Sequence, residues 1–95
     1  MISNYQYQAE VVFFSEEEGG RVNPPSAKYT PHVDIGEIHT SCEVFSPDVN
    51  KFEFGLKYEV LFKLKFLERE FKRGQVLSLF EGSRKTASVT ILSPC

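Results

Sequence analysis

The sequence of 95 residues predicts an all-β domain, a small antiparallel barrel or sandwich of five to seven strands. The strongest observation is an alternation over residues 52–66, where every even position is aromatic or aliphatic and most odd positions are charged. A shorter alternation covers residues 5–14, and residues 75–92 contain two apolar runs separated by a glycine turn. A period of two places one face of a strand on a core and the other in water.

The first predicted strand, residues 5–14, is followed by two turn segments. One of its faces is apolar and carries Tyr5, Tyr7, Ala9, Val11 and Phe13. The segment SEEEGGR at 15–21 predicts a turn, because Gly19 and Gly20 can take a positive φ without steric cost. The prolines in NPPS at 23–26 exclude a central strand, since proline lacks the N–H that a ladder needs.

Short strands are predicted at 32–35 and 42–45, and the strongest strand follows at 52–66. Gly55 marks a bulge or the start of that strand, because glycine weakens a strand interior. The segment FLEREFKR at 66–73 is too short for a convincing helix, so a strand end followed by a charged turn is expected. The last element is a hairpin over 75–92 with a three-residue turn, Glu81-Gly82-Ser83.

Size and composition indicate one globular domain, residues 1–95, with 41% hydrophobic and 25% charged residues. No apolar run approaches the ~20 residues that span a bilayer, and the N-terminus lacks the pattern of a secretory signal. We therefore expect a cytoplasmic protein that does not associate with membranes. In that compartment Cys42 and Cys95 are expected to be reduced thiols.

The sequence contains no motif that predicts an enzyme or a cofactor site. A P-loop requires G-x-x-x-x-G-K-[ST] before a helix, whereas in 15–21 three glutamates precede the glycines and would repel a phosphate. His32, His39 and Cys42, together with Asp34, are weak metal candidates, because the second pair of ligands that zinc sites normally have is missing. No nucleophile, base and orienting group occur in a recognisable pattern. We expect a non-enzymatic protein without a cofactor.

Basic residues are concentrated in the second half of the chain and form the candidate binding site for RNA or another partner. Residues 1–50 hold eight acids and two bases, whereas residues 51–95 hold five acids and nine bases. The candidates are Lys57, Lys63, Lys65, Arg69, Arg73, Arg84 and Lys85. Such residues can contact phosphates, but Glu59 and Leu61 interrupt the strip, and lysines on strands also discourage edge aggregation. Leu61 and Leu67 are candidates for an exposed apolar patch.

Four segments, in the correct order, resemble the C-terminal β-barrel domain of elongation factor Tu. AEVVFFSEEEGGR at 9–21 is similar to the family's opening A/S-E-V-Y-x-L-S-K-E-E-G-G-R, with the turn glycines and Arg21 in place. YTPHVDI at 29–35 is similar to Y-R-P-Q-F-Y-F. Gly55 falls where the family has P-G-D before a strand, and EGSRKT at 81–86 is similar to E-G-G-R-T-V. Together these matches extend over about residues 7–92.

The resemblance implies a six-stranded antiparallel barrel that is not catalytic. In that family the domain packs against the GTPase domain, contacts the T-stem of aminoacyl-tRNA and binds the nucleotide-exchange partner. The sequence has no GTPase domain, so the resemblance implies a stand-alone interaction module that binds a protein or RNA partner, possesses no nucleotide site and has a link to translation. A tRNA-like binder that uses the basic strand face is the alternative.

Three departures bear on the RNA alternative. Thr30 stands where the family has the arginine of Y-R-P, and Val22-Asn23 replace a histidine and a threonine. Glu59 aligns approximately with a lysine that contacts tRNA in the family. A charge reversal at a phosphate contact removes an attraction and adds a repulsion. The resemblance therefore supports the barrel fold more strongly than it supports binding of tRNA.

Overall fold

Seven strand segments form a closed antiparallel barrel in the computed structural model, which describes residues 5–67 and 69–95. The segments are β1 (Tyr7–Phe13), β2 (Lys28–Tyr29), β3 (His32–Asp34), β4 (His39–Phe45), β5 (Lys57–Leu64), β6 (Val76–Glu81) and β7 (Arg84–Pro94). The predicted fold class, a small all-β barrel of six antiparallel strands, is confirmed. Helical structure among the described residues is limited to one 3-10 turn, Glu16–Glu18, and no helix there could cross a membrane.

The barrel has six strand positions because β2 and β3 are two parts of one broken strand. Both pair with β4, with Lys28 opposite Phe45 and His32 opposite Ser41. Pro31 lies in the break, where its missing N–H does not interrupt the ladder. Around the barrel the order is β4, β3, β6, β7, β1 and β5, and pairing of β5 with β4 closes it. Closure leaves no long unpaired edge.

Connections alternate between the two ends of the barrel, because neighbouring strands are antiparallel. What we name the Arg21 end carries the connections 14–27, 46–56 and 82–83. The opposite end, named the Phe71 end, carries the connections 35–38 and 65–75. Side chains that share a strand can therefore be presented at opposite ends of the molecule.

The core is filled by alternate residues of each strand. On β1 these are Tyr7, Ala9, Val11 and Phe13, as the alternation predicts. The other buried apolar residues are Tyr29, Val33, Cys42, Val44, Phe52, Val60, Phe62, Leu64, Leu77, Leu79, Ala87, Val89 and Ile91. The Phe13 ring packs against those of Phe52 and Tyr29, with centroids 4.7 and 5.4 Å apart. Tilted and edge-on ring contacts of this kind are favourable.

The predicted strand at 52–66 is wrong at both of its ends. The strand is β5, Lys57–Leu64, and Gly55 turns the chain before it with a φ of 78°. Phe52 lies outside the strand and is nevertheless fully buried, whereas Phe66 is 78% exposed. Alternation alone does not reveal where the pairing of a strand with its neighbours stops, so the pattern extends past the real strand.

The other predicted elements agree with the structure in all but detail. The hairpin at 75–92 is confirmed as β6 and β7, but its turn has two residues rather than three, since Glu81 pairs with Arg84. Gly82 has a φ of 64° and Ser83 does not have a positive φ, which is the φ pattern of a type II′ turn. The predicted short strands correspond to β3 and β4. No helix forms in the described part of 66–73, and Glu68 lies outside the described residues.

Candidate interaction surfaces

The segment 15–21 is a compact turn at the Arg21 end. The Ser15 N–H donates to Glu18 Oε1 at 3.0 Å, and the Glu18 N–H donates to the Ser15 carbonyl at 3.0 Å. Gly19 has a φ of 90°, but Gly20 does not have a positive φ. Gly20 is buried, and a Cβ added to it would lie 2.0 Å from the carbonyl oxygen of Phe14. The expectation of a positive φ is therefore wrong for Gly20. Glycine is required at this position because its backbone lies too close to the backbone of Phe14 for a Cβ to fit.

Arg21 lies at the centre of a hydrogen-bonded group that we name the Arg21 cluster, formed with Tyr29, Glu81 and Thr86. Arg21 Nη1 is 2.6 Å from Glu81 Oε2, and its guanidinium carbon lies 5.4 Å from the centroid of the Tyr29 ring. The Tyr29 hydroxyl donates to the Glu81 carboxylate and shares a hydrogen bond of 2.8 Å with Thr86 Oγ1. Arg84 adds a bond from Nη1 to the Gly20 carbonyl at 3.1 Å.

The Arg21 cluster joins three segments that are far apart in the sequence: 15–21, 29–35 and 81–86. Arg21 and Glu81 are separated by 60 positions in the sequence, and their side chains form an ion pair of 2.6 Å. An open cavity of about 310 Å³ adjoins the cluster, and it is lined by Arg21, Pro25, Ser26, Lys28, Tyr29, Thr30 and Glu81. The polar groups of the cluster form hydrogen bonds with one another. These bonds attach the 14–27 connection to the β6–β7 turn.

The cluster changes the ionisation of its own members. Burial and the hydrogen bond with Glu81 raise the pKa of the Tyr29 hydroxyl, which stays protonated and able to donate. Partial burial acts to raise the pKa of the Glu81 carboxyl as well. Hydrogen bonds from Tyr29 and Arg21 and the charges of Arg21 and Arg84 outweigh that effect, so the pKa of Glu81 is lowered. Glu81 is thus held as a carboxylate.

Replacing Glu81 with glutamine is expected to remove an acid-sensitive contribution to stability. The folded pKa lies below the unfolded value of about 4.3, so the carboxylate stabilises the fold above that pH and the contribution is lost as pH falls further. At pH 7, Glu81→Gln should cost about 1 kcal/mol, a charge-assisted bond discounted for exposure. Urea unfolding from pH 7 to pH 3 checks this, and the two proteins should converge at the acid end.

The control for this prediction is Glu17→Gln, in the exposed part of the same connection. It removes the same charge without breaking a bond to the cluster, so its unfolding should follow that of the original protein at every pH. A wild-type and a Glu81→Gln protein that differ by a constant amount over the whole range would contradict the lowered pKa of Glu81.

The predicted basic strip is interrupted in the structure. Lys57 is exposed on the outer face of β5, opposite Val12 of β1. Two residues on, Glu59 lies directly opposite Glu10, which places two carboxylates side by side in the strip. Paired like charges on adjacent strands repel an approaching phosphate as well as each other. Lys57 is thereby separated from the lysines at the far end of the strand.

Lys63 contacts a cluster of aromatic and acidic residues on the outer face of β4 and β5. Its Nζ lies 5.2 Å from the centroid of the Tyr5 ring, which stacks on Phe45 at 6.0 Å. The Tyr5 hydroxyl donates to Glu43, whose side chain is only 8% exposed although it points away from the core. Burial, followed by the bond to Glu43, raises the pKa of the Tyr5 hydroxyl. Lys28 approaches Glu43 to 3.8 Å.

The remaining basic candidates lie at opposite ends of the barrel. Arg84 and Lys85 begin β7 at the Arg21 end, where Lys85 Nζ lies 5.6 Å from the centroid of the Phe14 ring. Lys65, Arg69 and Arg73 belong to the 65–75 connection at the Phe71 end. The seven candidates therefore do not form one strip. Closing the sheet into a barrel separates residues that the linear sequence places near one another.

The three weak metal candidates do not converge either. Cys42 faces the core, and burial raises the pKa of its thiol to about 12, whereas Cys95 is an exposed free thiol. His32 and His39 are exposed on the outer face of β3 and β4, and His39 Nε2 lies 3.9 Å from Asp34 Oδ2. Within residues 5–67 and 69–95, no group of three or more His, Cys, Asp and Glu is positioned to hold a metal ion.

The Phe71 end carries an exposed surface that the alternation pattern did not predict. Phe66 is 78% exposed and Ile38 is 48% exposed, whereas the pattern assigned Phe66 to the core face. Leu61 and Leu67 are not an exposed patch, since Leu61 is half-buried and Leu67 packs against the core. The sequence feature that indicates the exposure of Phe66 is the charged segment after it, because consecutive charged residues are incompatible with a strand that remains buried.

The fold and these surfaces define the class of the protein as a small closed antiparallel β-barrel. Neither the known protein-family models nor the curated protein sequences give a match to this chain. Its function is therefore inferred from the residues of the chain and their geometry.

Proposed function

We propose that this protein is a non-enzymatic interaction module, a stand-alone barrel of the elongation factor Tu C-terminal-domain type that binds a protein partner. The observation that carries the proposal is the contrast between the two ends of the barrel. Residues of the Arg21 cluster bond to one another, whereas the Phe71 end exposes Phe66 by 78% among basic residues. A large exposed aromatic side chain is typical of a surface that contacts another macromolecule.

The Arg21 cluster supports the likeness to the elongation factor Tu domain. The segments 15–21, 29–35 and 81–86, which carry most of the sequence resemblance, meet in this cluster. A link to translation follows from this likeness of fold, and it is part of the proposal. The likeness is weaker for tRNA contact, because Thr30 and Glu59 stand in place of basic residues of the family.

A second candidate function is RNA binding through the outer face of β5. Lys57 is exposed on that face and Lys65 is exposed directly after the strand, and lysines in such positions can contact phosphates. The facing carboxylates of Glu59 and Glu10 lie between them, and Lys63 is partly covered and contacts the Tyr5 ring. The net charge of the chain is −2. These features favour a protein partner over RNA.

Affinity capture from a cytosolic lysate of the source organism tests the proposed function. The intact chain, tagged at one terminus, should retain one protein in near-equimolar amount, and treatment of the lysate with nuclease should not reduce the yield. The complex should form again from the two purified proteins and elute as one species in size-exclusion chromatography. Recovery of no reproducible protein would contradict the proposal.

A parallel arm measures binding of purified tRNA at 50 and 200 mM salt. If three lysines contacted phosphates, the fourfold rise in salt would weaken binding by roughly 40-fold. We expect no saturable binding at the lower concentration. Saturable binding with that salt dependence, lost in a Lys57→Glu variant, would establish the RNA alternative and displace the protein partner.

A further inference from the structure

Exposed apolar side chains are unevenly distributed over the barrel. Among the described residues the large ones are Val22, Ile38, Leu56, Phe66 and Val76. Ile38 and Phe66 both belong to connections of the Phe71 end, and Val76 begins β6 directly after the 65–75 connection. Single exposed apolar residues are common on any protein, but a grouped set beside one connection indicates a surface that is covered by something else.

Two contacts fix Phe66 beside the connection that carries Ile38. The Lys65 N–H donates to the Ser41 carbonyl at 3.0 Å, which holds the chain next to β4 immediately before Phe66. Arg69 Nη2 is 3.2 Å from Glu37 Oε2, which holds the same connection next to the residue that precedes Ile38. The 65–75 connection is therefore attached both to β4 and to the 35–38 connection, which carries Ile38.

The 65–75 connection carries four basic side chains, of which one has an acidic partner in the described part of the chain. Lys65 Nζ lies 5.9 Å from the centroid of the Phe66 ring, and Arg69 is the base that pairs with Glu37. Lys65, Lys72 and Arg73 form no ion pair with any described residue. All three are exposed. Their positive charge is thus available to a ligand, although the molecule as a whole is acidic.

Hydrogen bonds and a ring contact hold residues 69–74 of this connection against the barrel. The Tyr7 hydroxyl donates to the Arg69 carbonyl at 3.2 Å and accepts from the Phe71 N–H at 2.8 Å. The Phe71 ring packs on Tyr7 with centroids 5.5 Å apart, and the Gly74 N–H donates to a β7 carbonyl at 2.7 Å. A surface that is ordered before binding loses less conformational entropy when it binds.

We propose that the surface formed by Lys65, Phe66, Ile38, Lys72 and Arg73 binds an acidic segment of a protein partner, in which an apolar side chain packs on Phe66 and flanking carboxylates meet the basic residues. This inference rests on the proposed function, and it adds the place and the chemistry of the contact. Charge complementarity selects the occupant, because three of the four exposed charges without an ion pair among the described residues of the 65–75 connection are positive, on Lys65, Lys72 and Arg73, and only that of Glu70 is negative. The exposed apolar pair selects a protein rather than a simple polyanion.

A random peptide library displayed on phage tests the chemistry without knowledge of the partner. Selection uses the intact chain, with counter-selection on a Phe66→Ser variant. We expect the enriched peptides to share a bulky apolar residue flanked by aspartate or glutamate. Enrichment of basic or uncharged peptides, or no enrichment, would overturn the proposal.

Affinities of the selected peptide test the residues. Phe66→Ser should weaken binding at least about tenfold, as expected for a central aromatic contact. The double reversal Lys72→Glu and Arg73→Glu should weaken it by a similar factor and reduce its salt dependence. The matched controls are Val22→Ser, which is 61% exposed at the Arg21 end, and Lys57→Glu on the outer face of β5. Equal losses in the controls would overturn the proposed surface.

The partner captured from the lysate separates failure of this inference from failure of the proposed function. If the protein partner binds the original chain and both the Phe66→Ser and the charge-reversed variants equally well, the module binds a protein by another surface, and only the inference fails. If nuclease abolishes capture, or if purified RNA competes with the peptide, the surface binds a nucleic acid. The proposal that it binds an acidic segment of a protein is then wrong. These variants change exposed side chains, so circular dichroism should show unchanged folding.

Discussion

Replacing Gly20 with alanine is expected to destabilise the barrel by about 3 kcal/mol, whereas Gly19→Ala should cost about 1–2 kcal/mol. The two glycines are adjacent, yet they are required for different reasons. Gly19 has a φ of 90°, and a Cβ added to it would meet no atom within 4 Å. Its alanine variant therefore bears only the cost of a left-handed backbone conformation. This makes Gly19→Ala the matched control for Gly20→Ala.

The larger cost at Gly20 comes from the backbone of Phe14. An added Cβ would lie 2.0 Å from the Phe14 carbonyl oxygen and 2.6 Å from its carbonyl carbon. Relief of that overlap requires the chain at 20–21 to move away from Phe14. The hydrogen bond from the Arg21 N–H to the Phe14 carbonyl, 3.2 Å long, would be lost, and the guanidinium would be displaced from Glu81. The substitution therefore disturbs the turn and the Arg21 cluster together.

Urea unfolding of the three proteins at pH 7 measures the difference between the two glycines. The unfolding midpoint should fall in the order wild type, Gly19→Ala, Gly20→Ala. Combining Gly20→Ala with Glu81→Gln provides a second test, because a cluster already displaced cannot lose the same bond twice. The double variant should lose less than the sum of the single losses. Equal stabilities of the two alanine variants would show that the close approach of Gly20 to Phe14 is not maintained in solution.

The parts of the fold that the sequence predicted are those in which local pattern and tertiary structure agree. The alternation of β1 and the β6–β7 hairpin are local features, and both were predicted from neighbouring residues. The limits of β5 are not local, because they depend on where β1 and β4 provide hydrogen-bond partners. Gly55 predicts a bulge or a strand start, but Phe52 and Phe54 continue the period of two on its other side, so the alternation alone does not show the turn.

The surfaces were less predictable than the fold, because they depend on which side chains meet across the barrel. The sequence places Arg21 in a glycine turn, but the pairing of Arg21 with Glu81 joins residues 60 positions apart and has no local signal. The basic candidates form a run in the sequence, and barrel closure divides them between two ends. Cys42 is near His39 in sequence, and its position on β4 nevertheless turns it towards the core.

Replacing Phe52 with alanine is expected to cost about 3–5 kcal/mol, whereas Phe66→Ala should change stability by at most about 0.5 kcal/mol. Both residues occupy even positions of the same alternation, so the sequence pattern alone gives them equal burial. In the structure Phe52 is fully buried, with its ring 4.7 Å from that of Phe13 and 5.1 Å from that of Tyr58. Its removal leaves a cavity among aromatic rings, while Phe66 is largely in water already.

The comparison of these two variants tests two features together: the limits of β5 in the structure and the exposure of the Phe66 ring to solvent. A loss of about 3–5 kcal/mol is a large fraction of the 5–15 kcal/mol that stabilises a typical domain, so Phe52→Ala should unfold at much lower urea concentration. Phe66→Ala should unfold with the wild type, because the solvent already surrounds its ring. Similar large losses in both variants would mean that the strand continues through Phe66 and buries it. Phe66 would then be a core residue, and the surface at the Phe71 end would lose the aromatic side chain on which the proposed partner binding depends.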